Sequence, residues 1–320
     1  MGNLNVAVLG AVGYAGEIGK KGTVTDVTFF NLKQGDDSVT LIEATKYPEK
    51  LSSLFYSTAM SEFVILVVDK IDSNLGETIL MADAFGLSRG WIVLRNYIQE
   101  EQIKPLIADT SLESFTFVAD DPIKLRGDIL AEAAKLVHKV DGESCGSIPV
   151  DSHFNVKGVG TVVLGSVIDG FVKKHDKLRI VPLEETVVLK SIQKHDIDSD
   201  FGAKGDHVGI ALRGIESERL DRGYVLTTDN SVKISRSVKS QARLVKYWPA
   251  PIKDGMVMHI GHWMQMIPCR IMKVDNGNDF KTATVELELD SDMIHKPGDT
   301  AVMMYLEGGK LRIVGSTILQ

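Results

Sequence analysis

Near residue 141 the sequence changes texture, and that change constrains the fold more than any other feature. Before it, short apolar runs alternate with stretches whose apolar residues recur at helical spacing. Residues 5–10, 39–42, 63–69, 91–94 and 115–118 read as strands, and the unbroken apolar run at 63–69 suits a strand buried on both faces. Residues 48–60, 76–85 and 128–140 read as helices; in the last, Ile129, Leu130, Ala133, Leu136 and Val137 recur at helical spacing. Strands alternating with helices predict a mostly parallel α/β sheet over residues 1–141. Residues 141–147 are small and polar and read as a linker.

Beyond the linker no long helix is foreseen. Short β-branched runs broken by glycine follow at 161–164, 178–181, 186–192, 207–212 and 224–227, the spacing of a small antiparallel barrel or sandwich over 148–229. A second set, at 242–245, 256–260, 269–274, 284–289, 300–305 and 311–314, fills 230–320, with hairpin turns at 275–278 and 307–310. The order is α/β, then β, then β.

Composition narrows the class. At 320 residues the chain suits two or three domains, and its 44% hydrophobic and 25% charged content is that of a soluble protein. It has no apolar run long enough for a transmembrane helix and no signal-peptide pattern at its start, so no membrane is expected. Cys145 and Cys269, the two cysteines, stand far apart, which fits a reducing cytoplasm and excludes a disulfide framework or cysteine-rich zinc site. The net charge of -7 argues against a nucleic-acid binder in bulk, leaving room for a local basic stripe.

The segment from Pro149 to Gly165 carries the sharpest signal: an aspartate (Asp151), a phenylalanine (Phe154), then Gly158-Val159-Gly160-Thr161-Val162. It resembles the start of the second domain of translational GTPases, the SelB and Tu-type elongation factors. Leu178 to Pro182, Val188 to His195, Ala203 to Leu212 and Asp221 to Leu226 resemble that domain's later strands in order. Met258 to Gly261 and Pro297-Gly298-Asp299 are placed as in the third domain. The resemblance implies a phosphate-loop GTPase-like α/β domain over 1–141, with two Tu-type barrels behind it. GTP and magnesium enter as cofactors by that resemblance only.

The first domain departs from the pattern. A phosphate loop needs Gly-x-x-x-x-Gly-Lys-Ser/Thr, whose amides cradle phosphates and whose hydroxyl binds magnesium. Here the strand ends at Gly10, Gly13 follows, and Gly19-Lys20 supply the right pair, but Tyr14 holds the first glycine's place and Lys21 the hydroxyl's. These residues form a vestigial phosphate-loop region, or a plain connection. Eleven residues between Gly10 and Gly22 leave no room for the loop plus a full helix, so the first helix reads as deleted. In the first-switch stretch, 21–26, Val24 replaces the magnesium-binding threonine. In the second, Glu43-Ala44-Thr45-Lys46-Tyr47, Lys46 replaces a glycine and Tyr47 the water-positioning histidine; Glu43 reads as a metal ligand or a hydrogen-bonded strand-end carboxylate. The guanine-reading motif is reduced to Arg95-Asn96-Tyr97-Ile98, and the last base-contacting element, near 118–120, lacks its serine. No catalytic residue and no bound metal are expected.

His153, His195 and His207 read as surface or turn histidines more readily than as a metal site, and His259 and His262, three apart with Cys269 nearby, make a weak zinc candidate. Within 233–246, Arg236, Lys239, Arg243 and Lys246, with Tyr247 and Trp248, could face an RNA backbone and stack on a base; the plainer reading is a solvated strand face. The expectation is a cytoplasmic elongation-factor paralogue, similar to the degenerate SelB-like factors of methanogenic archaea. Its barrels would hold aminoacyl-tRNA or another translation component, not DNA, and its first domain would be a pseudo-GTPase. Two alternatives stand beside it: a GTP-binding factor with an unusual phosphate loop, and a non-RNA assembly or regulatory protein on the same frame.

Overall fold

The structure, a computed structural model, describes residues 2–136, 140–277, 279–307, 309 and 311–320. Its first third runs β1 (Asn3–Leu9), α1 (Ala15–Ile18), β2 (Lys20–Val24), β3 (Thr28–Gln34), β4 (Asp37–Glu43), α2 (Leu51–Ala59), β5 (Phe63–Val68), α3 (Ser73–Ala84), β6 (Gly90–Leu94), α4 (Glu100–Ile107), β7 (Thr116–Val118) and α5 (Pro122–Ala134). The sheet order is β2-β3-β4-β1-β5-β6-β7. The five strands from β4 to β7 are parallel, and β3 and β2 extend the sheet antiparallel.

Period-two alternation sorts the strand residues to two faces. Ala7, Leu9, Val64, Leu66 and Val68 pack under α2, α3 and α4, while Val6, Val8, Ile65 and Val67 pack under α1 and α5. This double covering is why β1 and β5 are buried along their whole length, and why β5 is apolar throughout.

All five strands read from the sequence are present. The missed ones are β2, whose Lys-Lys-Gly-Thr-Val carries no buried side, and β3 beside it. Helix α4 was hidden because Pro105 lies inside it and only Ile103 and Ile107 are buried. The helix expected from 128 begins earlier, because Asp121 caps the amides of Ile123 and Lys124 at 3.1 and 3.0 Å with Pro122 in the first turn. Val137, of that expected helix, lies outside the described residues. The deleted first helix survives as the single turn α1.

Two barrels follow. The first is built from β8 (Ser147–Val156), β9 (Gly160–Ser166), β10 (Phe171–Lys173), β11 (Lys177–Val181), β12 (Glu185–Lys194), β13 (Ile197–Ser199), β14 (Phe201–Ala203), β15 (His207–Arg213) and β16 (Val225–Thr227). Six of these close in the order β8-β9-β15-β12-β11-β16, with β13 beside β12 and β10 paired to β14. The second closes as β17 (Lys233–Leu244), β20 (Thr282–His295), β19 (Gln265–Asp275), β18 (Val257–His262), β21 (Thr300–Met304) and β22 (Ile313–Ile318). The turns expected at 275–278 and 307–310 join antiparallel neighbours; Asn278, Gly308 and Lys310 lie outside the described residues.

Barrels and sheet share packing. The α2 face of the sheet and the interior of the second barrel form one apolar cluster. Phe55 of α2 lies so close to Gly261 that a Cβ there would sit 2.5 Å from its ring. On the first barrel, His207 stacks on Phe29 of β3 with ring centres 4.2 Å apart.

Candidate functional site

At the carboxyl edge of the sheet, Gly10 turns the chain with φ +98°, and a Cβ there would meet the Val67 carbonyl at 2.1 Å, so only glycine fits. Gly13 also has positive φ. The turn aims two amides at one point, and the anion found there is the chain's own. Glu43 Oε1, at the end of β4, accepts from Gly13 N at 2.9 Å and Ala15 N at 3.1 Å. The carboxyl is buried; burial raises its pKa, against the opposing pull of the two amides. Of the two sequence readings of Glu43, the structure has the hydrogen-bonded strand-end carboxylate.

Gly10 and Gly13 thus share the loop, but Gly19 and Lys20 do not. Helix α1 ends at Gly19, and Lys20 opens the edge strand β2. Lys20 lies level with Asn31, Thr40 and Asn5, three residues down β4 from Glu43, or about 10 Å at strand rise.

Where the base-reading elements were sought, side chains meet one another. Tyr14 is buried and donates to Asp120 Oδ1 at 2.9 Å, and Arg95 pairs with Asp120 Oδ2 at 3.1 Å while lying over the Tyr14 ring. Burial, then Asp120, holds the Tyr14 phenol well above its ordinary value. Asn96 and Tyr97 both adopt positive φ, and Asn96 Nδ2 donates to the Asp69 carbonyl at 2.8 Å.

The two switch-like stretches are pinned to the barrels. Asp26 joins Lys46 at 2.9 Å and Arg222 at 2.5 Å, and Arg222 joins Asp151 at 2.7 Å. Burial pushes the Asp26 carboxyl up, but Lys46 and Arg222 outweigh it and leave it below the usual range; for Asp151 burial wins and the shift is upward. Tyr47 donates to Glu77 Oε2 at 2.9 Å, and Arg312 of the second barrel grips the same buried carboxylate through both oxygens. These long-range pairs were invisible to sequence reading, since no local motif marks them. Val24, at the metal-threonine position, is exposed and offers no side-chain oxygen.

A recess of about 400 Å³ separates the β2–β3 hairpin from the first barrel, with Thr23, Asn31, Phe154, Leu164, His195 and His207 among its lining residues. His207 is thus no turn histidine: burial lowers its pKa to about 4, and its Nε2 has no hydrogen-bond partner. Among the described residues, no cluster of His, Cys, Asp or Glu could hold a metal.

The basic run lies on β17 and just beyond. Arg236 pairs with Asp292 at 2.6 Å, Lys239 with Glu286 at 2.5 Å and Lys246 with Asp109 at 2.8 Å. Arg243 lines a separate recess of about 350 Å³ with Asp83, Asp109, Lys246 and Lys281. Tyr247 is exposed, but Trp248 is buried and cannot stack on a base.

Comparisons with known proteins agree with this frame. A family model described as elongation factor Tu domain 2 matches residues 160–227. An uncharacterized protein of Methanocaldococcus jannaschii is 33% identical over 317 residues, 98% of this chain and 99% of that protein. The selenocysteine-specific elongation factor of the same organism is 28% identical over 309 residues, 89% of this chain but 64% of that factor, so the chain spans a little under two thirds of it. Among solved structures, the elongation factor SelB of Methanococcus maripaludis in complex with the GTP analogue GppNHp superposes with a TM-score of 0.83 at 19% identity, covering 100% of this chain and 79% of that one. No helix among the described residues is long and apolar enough to cross a membrane.

Proposed function

Because the chain belongs to the translational GTPase superfamily, in its SelB/EF-Tu-like branch, we propose that it is an elongation-factor-like protein whose barrels engage aminoacyl-tRNA or another translation component without a GTP cycle. The observation that carries this is the Glu43 carboxylate on the amides of Gly13 and Ala15. A phosphate at that point would have to displace a buried carboxylate and repel it at close range.

The rest of the edge follows the same rule. Helix N-termini attract anions, but here α3 is capped by Asp72, α5 by Asp121, and α4 carries Glu100 and Glu101 in its first turn. The residues present do not fit a magnesium-bound triphosphate: Lys20 lies down the edge strand, the Val24 side chain has no oxygen, and Tyr14, Arg95 and Asp120 satisfy one another. Tyr47 in place of a water-positioning group has its hydroxyl committed to Glu77.

Engagement of RNA rests on the retained first barrel and its recess. Walls of mixed apolar and polar side chains and the unpartnered Nε2 of His207 suit the burial of a small group carried by the tRNA end. A filter-binding titration with charged and uncharged tRNA at several salt concentrations tests this. Binding that weakens with salt, and that His207→Ala reduces for charged tRNA only, is expected. Absence of binding at low salt would instead favour an assembly protein on the same frame, a reading supported by the acidic partners of Arg236, Lys239 and Lys246.

A further inference from the structure

The connections leaving β1, β5, β6 and β7 lie side by side along the carboxyl edge of the sheet. The first three each present one apolar side chain to solvent, and the first turn of α5 after β7 presents a fourth: Val12 is 62% exposed, Ile71 44%, Tyr97 97% and Ile123 83%. At strand spacing the four connections span roughly 15 Å. Scattered apolar residues on a surface need no explanation, but one after each of four adjacent strands invites one. Tyr97 is held out on two successive residues of positive φ, a strained conformation fixed by the Asn96 bond to Asp69 and by Gln99 Nε2, which donates to the Tyr97 carbonyl at 3.1 Å. A tyrosine displayed almost fully exposed on a fixed backbone is an effective anchor for a partner.

The surroundings select the partner's charge. Lys70 is taken by Asp72 at 2.9 Å and Arg95 by Asp120. Asp69, Glu101 and Asp121 have no ion pair among the described residues, against Lys124 and Arg126 on the basic side, and Arg126 is turned to the backbone carbonyls of Ile18 and Glu17. The rim is therefore acidic around an apolar row, which repels a nucleic-acid backbone and attracts a cationic surface.

We propose that this edge is a docking surface for a basic polypeptide segment bearing an apolar anchor residue. The acidic rim steers the segment, and the row from Val12 to Ile123, centred on Tyr97, receives the anchor.

The test uses the full chain and defined probes. Short peptides are titrated by fluorescence anisotropy: one lysine-rich with a central tryptophan, one lysine-rich without it, one glutamate-rich with it, and a single-stranded RNA of similar length. The tryptophan-bearing basic peptide is expected to bind at least about tenfold tighter than every other probe. Its binding should weaken as salt rises and fall at least about tenfold in Tyr97→Asp/Ile123→Asp, whose circular dichroism should match the parent because both residues are exposed. Equal binding of the peptides, preference for the acidic peptide or the RNA, or an unaffected double variant overturns the proposal. So does self-association of the parent, by sedimentation, that the double variant abolishes, because the row would then be covered by a second copy.

Discussion

The carboxyl edge of the sheet and the first barrel stand side by side on one family frame, yet they hold their patterns differently. The barrel's residues match the family model, while the edge keeps the turn at Gly10 and little of its motif chemistry. Backbone geometry accounts for the barrel. Gly165 faces the Pro149 carbonyl where a Cβ would sit at 2.4 Å, so the pattern persists whatever the barrel binds. A phosphate loop is specified by what it must hold. Where side chains such as Glu43, Tyr14 and Asp120 meet its demands, the motif residues carry no structural duty.

The largest expected effect lies where the edge meets the second barrel. Arg312→Ala leaves Glu77 buried without its cation and should cost about 3–5 kcal/mol in chemical denaturation. A loss under about 1 kcal/mol would mean that the switch-like stretch is not tied to the barrel through this pair.

Next is the recess of the first barrel. Folded His207 stays neutral down to about pH 4, whereas an unfolded histidine protonates near 6.5. Its contribution is therefore fully present above 6.5 and is lost as pH falls from 6.5 toward 4, by up to about 3 kcal/mol. Comparing the pH dependence of stability in wild type and His207→Gln isolates it; parallel curves would place His207 in water.

A smaller effect is expected at the loop. Glu43→Ala leaves the amides of Gly13 and Ala15 without their acceptor and should cost about 1–3 kcal/mol. A neutral result would show that water replaces the carboxylate freely, weakening the contrast between edge and barrel. The smallest belongs to the basic run, where Lys239→Ala removes an exposed pair with Glu286 and should change stability by under about 1 kcal/mol.

The sequence was legible where a local pattern carries the information. The apolar runs of β1 and β5, the Gly158–Gly160 hairpin and the glycine-led β15 are readable because period and turn chemistry are local. The strand β2 was not, since its exposed Lys-Lys-Gly-Thr-Val has no alternation to read. The defects of the nucleotide loop were visible as missing residues, but what replaces them was not. Glu43 reaches Gly13 across thirty positions, and Tyr14 reaches Asp120 across more than a hundred. Lys20 shows the opposite error, a motif-like neighbour of Gly19 that the chain carries down the edge of the sheet.

The central claim is that the chain's own carboxylates and Tyr14 occupy the places a nucleotide would need. Calorimetric titration of the full chain with GDP and with GTP, each with magnesium, tests it most directly. The account predicts no heat beyond dilution for either nucleotide; a dissociation constant in the micromolar range or tighter would contradict it.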